Sequence, residues 1–213
     1  MMNSVLSKII ELVQNHEFYK AEQELNSIYE INANSYDVNK LLGIALIAQK
    51  KYNGALKCFE KCYEIKQNDY EVVLNISYLF LKTQFYKQSI EFSKKAIDLD
   101  SKKPGAYQNL ASCFFFLDRQ QEAQENIEKT IDIRGGLKNE HFYNVVDLRR
   151  LYGDILLAQK KSKQFCEYIL DLLELTYDCN LLTKLHRENP KLIQKKHLDQ
   201  VKHAIKNSVH YEN

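Results

Sequence analysis

The residues in this 213-residue chain best suited to metal or thiol chemistry are its five cysteines and six histidines. Cys58 and Cys62 are one helical turn apart and would share a face, as metal ligands sometimes do. No histidine or third cysteine lies nearby in sequence to complete the set, so both read as small buried core thiols. His203 and His210 could share a face of a C-terminal helix, but that stripe carries no carboxylate or thiol, and solvated histidines are the better reading. His186 and Glu188 diverge around a helix and read as surface charge. The chain has no GxSxG, HExxH, CxxC or glycine-rich phosphate loop. The expectation is a non-enzymatic protein with no cofactor and no metal.

Composition says what kind of scaffold carries these residues. Six glycines and two prolines are too few for an all-β chain of tight turns and favour long helices. A net charge of +2 gives no basic field of the kind that dominates nucleic-acid binding. No stretch approaches the roughly 20 apolar residues that span a bilayer. Ser7, Lys8 and Glu11 interrupt the apolar positions of the opening residues, which read as no signal peptide. An odd cysteine count in such a chain reads as reduced thiols, and the expected location is cytoplasmic.

The phrase YNGALKCFEKCYEIKQND at 52–69 returns as YKQSIEFSKKAIDLDSKK at 86–103, 34 residues later. Blocks of that length, 2–35, 36–69, 70–103 and 104–137, repeat their chemistry position by position. Position 8 holds Ile9, Gly43, Ser77 and Ala111, and position 20 holds Ala21, Ala55, Ser89 and Ala123. Position 11 holds Leu12, Leu46, Phe80 and Phe114, and position 30 holds Ile31, Ile65, Leu99 and Ile133. Two apolar patterns of helical period run through each block. Small residues at 8 and 20 let the paired helices approach, and large ones at 11, 24 and 30 are expected to fill the seam. Turns are expected near 15–17, 49–52, 83–86 and 117–120. Pro104 suits a helix start, and Gly135-Gly136 a helix stop. A single helix pair cannot bury its own faces, so neighbouring pairs must stack.

This pattern resembles the tetratricopeptide repeat family, best over 36–137, where LLGIALIAQKKYNGALKCFEKCYEI and AYQNLASCFFFLDRQQEAQENIEKTIDI follow the family's spacing of small and large residues. The first block departs from it, with Lys8 where leucine is usual. The resemblance implies an all-α, right-handed superhelical solenoid. After Gly136 an insertion of about eight residues puts a fifth block at 146–179, which completes an array over 1–179. Capping helices are expected over 180–213, the last over 190–209 with Leu198, Val201 and Ile205 in one stripe.

In such arrays the concave groove is formed by positions 2, 5, 6, 9, 12 and 13 of each first helix, and partners lie there. The implied groove residues are Lys40, Ile44, Asn75, Tyr78, Lys82, Asn109, Ser112, Phe115 and Phe116. Asn75 and Asn109 share position 6 and resemble two rungs of the asparagine ladder that grips a peptide backbone in O-linked N-acetylglucosamine transferase arrays. Chance or bonding within the helix explains two rungs equally well. Phe115 and Phe116 are either inter-helix packing or an exposed apolar patch. The carboxylate clamp of chaperone-tail adaptors does not fit, since only Lys40 and Asn75 of its five positions match. The expected function is a protein-interaction scaffold for a peptide or protein partner, with no nucleic acid and no membrane. The alternative is a recognition arm of a larger glycosyltransferase or sulfotransferase.

Overall fold

A computed structural model describes residues 2–136 and 146–159 together with 161, 164, 167 and 168. The helices are α1 (Met2–Gln14), α2 (Phe18–Asn32), α3 (Tyr36–Ala48), α4 (Tyr52–Ile65), α5 (Tyr70–Lys82), α6 (Tyr86–Leu99), α7 (Gly105–Phe116), α8 (Gln120–Ile133) and α9 (Val146–Ala158). Among the described residues there is no strand. The turns fall where the 34-residue register puts them, and α8 stops just before the glycine pair. The chain forms two compact units, residues 1–113 and 114–213, with the boundary inside α7. The proposed final helix at 190–209 and most of the second half of the fifth block lie outside the described residues.

One backbone device closes the first helix of each of the first four blocks. His16, Lys50, Gln84 and Asp118 all adopt left-handed φ values between 57° and 66°. After each, an N–H reaches five residues back: Glu17 to Leu12, Lys51 to Leu46, Phe85 to Phe80 and Arg119 to Phe114, at 2.8–2.9 Å. This is the Schellman closure, which satisfies carbonyls left open at a helix end. Lys161 makes the same bond to Leu156 at 3.0 Å, in register once the insertion is allowed for. Glycine is the residue that adopts this conformation without strain, and none of the first four positions has it. Lys50→Gly and Gln84→Gly should therefore each stabilise the protein by about 0.5–1 kcal/mol. A lower urea midpoint in both variants would contradict this.

The core of the first unit follows the register. Positions 8 and 20 are buried throughout: Ile9, Gly43, Ser77, Ala21, Ala55 and Ser89. Gly43 is small for a reason, because a Cβ there would sit 2.6 Å from the Phe59 ring. At position 24 the buried Leu25 and Phe59 fill the seam, and Ser93 is buried there too. Position 30 does not. Ile31, Ile65 and Leu99 are 91%, 53% and 41% exposed at the last turns of α2, α4 and α6, beyond the reach of the facing helix. Asn39 ties successive pairs together: it accepts from the Tyr29 hydroxyl at 3.2 Å and donates to the carbonyls of Ala33 and Ser35.

In the second unit Leu148, Ile155 and Leu156 of α9 are buried. Gln159 Nε2 donates to the Gln120 carbonyl at 2.7 Å, and Lys161 Nζ to Gln124 Oε1. The same two hooks join the first two blocks, where Gln49 Nε2 reaches the Phe18 carbonyl at 3.3 Å and Lys51 Nζ reaches Glu22 at 2.7 Å. The recurrence follows from equivalent positions in the register.

Candidate functional site: the groove stripe of the first unit

The stripe expected to face partners is built by α1, α3, α5 and the part of α7 in the first unit. The helix period separates it from the core. In α3, Asn39, Leu42, Gly43 and Leu46 point inward and are buried, whereas Asp37, Lys40, Leu41, Ile44, Ile47 and Ala48 are exposed or half-buried. In α5 the inward set includes Val73, Ile76 and Ser77, and Glu71, Leu74, Asn75, Tyr78, Leu81 and Lys82 keep surface.

Lys40 is engaged. Its Nζ lies 3.2 Å from Asp69 Oδ2, and the Tyr36 hydroxyl donates to the same oxygen. Asp69 Oδ1 caps α5 by accepting from the Glu71 and Val72 N–H groups at 2.8 and 3.3 Å. Burial would raise the Asp69 carboxyl, but the Tyr36 hydroxyl, Lys40 and the Val72 amide outweigh it and hold the group down to about 2. The folded value is depressed, so the contribution is fully present above the unfolded value near pH 4. It is lost as pH falls through about 2. Asp69→Asn should cost up to about 2 kcal/mol at pH 7 and close to nothing at pH 2. Urea midpoints at the two pH values check this, and a gap that stays constant with pH would contradict it.

The asparagines do not form free rungs. Asn75 Nδ2 donates to the Glu71 carbonyl of its own helix at 2.7 Å. Asn109 is buried and its Nδ2 donates to Ser77 Oγ at 3.1 Å. The cause is local. Position 24 carries a large apolar residue in the other three blocks but Ser93 in the third. Ser93 Oγ meets Ser77 Oγ at 2.6 Å, Ser89 Oγ donates to the Ser77 carbonyl at 2.8 Å, and Cys113 Sγ reaches Ser89 Oγ at 3.1 Å. These short side chains leave room that the Asn109 amide enters. There it adds a donor to Ser77 Oγ within a buried hydrogen-bonded cluster.

Tyr78 is half-buried, edge-on to Tyr52 at 6.5 Å, with Lys82 Nζ 5.3 Å from its ring centre. Ile44 is half-buried against the core, and Ser112 Oγ donates to the Gln108 carbonyl at 3.1 Å. Phe115 and Phe116 belong to the second unit. Phe115 is half-buried, Phe116 is 59% exposed, and their rings meet edge-on at 5.8 Å.

Three residues of the stripe were not anticipated. In α1, Leu6, Ile10 and Val13 occupy positions 5, 9 and 12. Leu6 and Val13 are half-buried, and Ile10 is 42% exposed. The signal was present in the register but masked by Lys8, which makes the first block look degenerate. With them, position 9 reads Ile10, Ile44, Tyr78 and position 12 reads Val13, Ile47, Leu81.

Nothing on the stripe resembles a reaction centre. Among the described residues no three His, Cys, Asp or Glu side chains gather as metal ligands. Cys58, Cys62 and Cys113 are buried, and burial pushes the first two thiols up to about 11 and about 12, far from the reactive thiolate. No described helix is long and apolar enough to cross a membrane.

Residues 38–69 and 104–135 match the tetratricopeptide repeat. No curated protein matches the sequence significantly. Among solved structures, the crystal structure of MamA protein aligns at a TM-score of 0.65 and 16% identity, over 81% of this chain and 90% of that one. MamA 41-end from Desulfovibrio magneticus RS-1 aligns at 0.68 and 16%, over 81% and 93%. At such identities the likeness is one of fold.

Proposed function

We propose that this chain, whose residues 38–69 and 104–135 are tetratricopeptide repeats, is a non-enzymatic scaffold that holds a peptide or protein segment against its groove stripe. The observation that carries this reading is the pair of apolar rows Ile10–Ile44–Tyr78 and Val13–Ile47–Leu81, which keep surface although Val13, Ile44, Ile47 and Tyr78 also pack against the core. The site comprises these residues with Lys40, Lys82, Asn75 and Ser112 around them. Asn109 supports it from behind. Phe115 and Phe116 offer a similar apolar pair in the second unit. The partner is a segment with apolar side chains, because the rows that keep surface are apolar and Lys40 beside them is already paired with Asp69. The proposed array takes in a fifth block at 146–179, with 180–213 as its cap.

Peptides selected by display against the purified chain test this. Tyr78→Ala should weaken them by about 30-fold and Ile10→Lys by about tenfold, as expected when groove anchors are lost. Ile65→Lys, at the exposed end of α4, should leave binding unchanged. Circular dichroism confirms that each variant is folded. Binding that survives Tyr78→Ala and Ile10→Lys but fails in Ile65→Lys would overturn the reading.

A further inference from the structure

We infer that the first turn of α7 is a binding site for a side-chain carboxylate, because it presents, without a carboxylate of its own, the donors that Asp69 engages one repeat earlier. At α5 the Asp69 carboxylate takes the N–H groups of Glu71 and Val72 and the hydroxyl of Tyr36. One repeat on, the equivalent positions are Gly105, Ala106 and Tyr70, and Lys103 stands where Asp69 would be. Gly105 and Ala106 open α7, where N–H groups have no carbonyl within the helix. The α7 turn therefore keeps the frame of the Asp69 site and lacks its anion.

Tyr70 supplies an independent sign. Its side chain is 8% exposed, and its hydroxyl is buried without a hydrogen bond, although the Ala106 amide faces it. The hydroxyl is aimed at the helix start: a Cβ built on Gly105 would lie 3.6 Å from Tyr70 Oη and 2.9 Å from Leu74 Cδ2. A side chain there would meet Leu74, so the glycine lets the helix start pack against it. Lys103 Nζ sits 4.2 Å over the Tyr70 ring and pairs with Glu71 at 3.3 Å, with Asp100 at 4.0 Å. Lys103 is half-exposed, and its charge reaches an incoming anion by exchanging the Glu71 carboxylate for it. Glu71 and Asp100 oppose net positive charge, so recognition rests on the directed donors and the helix N-terminus. Gly105 belongs to the groove stripe, and the source of the carboxylate, an Asp or Glu of a bound segment, rests on the groove reading above.

The test uses the 15N-labelled full chain and two tripeptides, Ac-Ala-Asp-Ala-NH2 and Ac-Ala-Asn-Ala-NH2, followed at the Gly105 and Ala106 amides. The Asp peptide should give a saturable shift, at least about tenfold tighter than the Asn peptide. Lys103→Asp places a carboxylate where Asp69 stands in the preceding repeat, so it should abolish the response and raise the melting temperature. Tyr70→Phe should weaken the Asp peptide without lowering stability, since the hydroxyl it removes is buried and unpartnered. Equal shifts with both peptides, or a response that persists in Lys103→Asp, would overturn the site. A saturable Asp response alongside display peptides indifferent to Tyr78→Ala would sink the groove reading and leave this site standing.

Discussion

Replacing Phe59 by alanine is expected to destabilise the first unit by about 3–5 kcal/mol, the range for deleting a buried aromatic ring. Phe59 is fully buried, and its ring lies directly against the backbone of Gly43 on the facing helix. The loss has two parts, the transfer of ring surface back to water and the cavity left behind. The cavity cannot close easily, because α3 and α4 are already as near as Gly43 allows. The equivalent seam one repeat later, between Ser77 and Ser93, is met by the Asn109 amide, whereas Asn75, the residue in that position beside the Gly43 seam, bonds to the Glu71 carbonyl of its own helix. Urea unfolding followed by circular dichroism measures the change. A loss below about 1 kcal/mol would show that the ring is not the seam's main filler.

Gly43→Ala should destabilise by about 3 kcal/mol, the upper end for overpacking. Its Cβ would come within 2.6 Å of Phe59 Cε2, and neither ring nor helix has room to move far. The sign should reverse once the ring is gone. In a Phe59→Ala background, Gly43→Ala fills part of the cavity and exchanges a poor helix former for the best one, a gain of about 1 kcal/mol. The coupling between the two sites is therefore large, and a double-mutant cycle reads it directly. Additive effects would mean that the close approach does not exist in solution.

Much of this architecture is legible in the sequence because it is repeated. Small residues at positions 8 and 20 mark the helix contacts, and they are buried as the register implies. The left-handed helix ends are hidden, since His16, Lys50, Gln84 and Asp118 share no residue type; only backbone geometry shows that they are one feature. Position 30 misleads in the opposite way. Its residues are uniformly apolar, but type does not reveal that the helix has run past its neighbour. The groove residues divide along similar lines. Helical period places Lys40, Asn75 and Asn109 on one stripe, but their hydrogen-bonding is set elsewhere: Lys40 by Asp69, the N-cap of α5, Asn109 by the missing bulk at Ser93. Asn75 is engaged because an asparagine inside a helix finds the carbonyl four residues back. Ser93 is the one clue readable in advance, as the only small residue in a position otherwise held by Leu25, Phe59 and Ile127.

The central claim is that the apolar rows of the first helices receive the partner. Isoleucine methyl NMR on the first unit's residues tests it most directly, because isoleucines lie on both kinds of surface. Ile10, Ile44 and Ile47 belong to the groove stripe, and Ile31 and Ile65 to the exposed ends of the second helices. On titration with a display-selected peptide, the methyls of Ile10, Ile44 and Ile47 should shift and saturate together, with those of Ile31 and Ile65 unmoved. Saturable shifts at Ile31 and Ile65 with a silent groove would contradict the account.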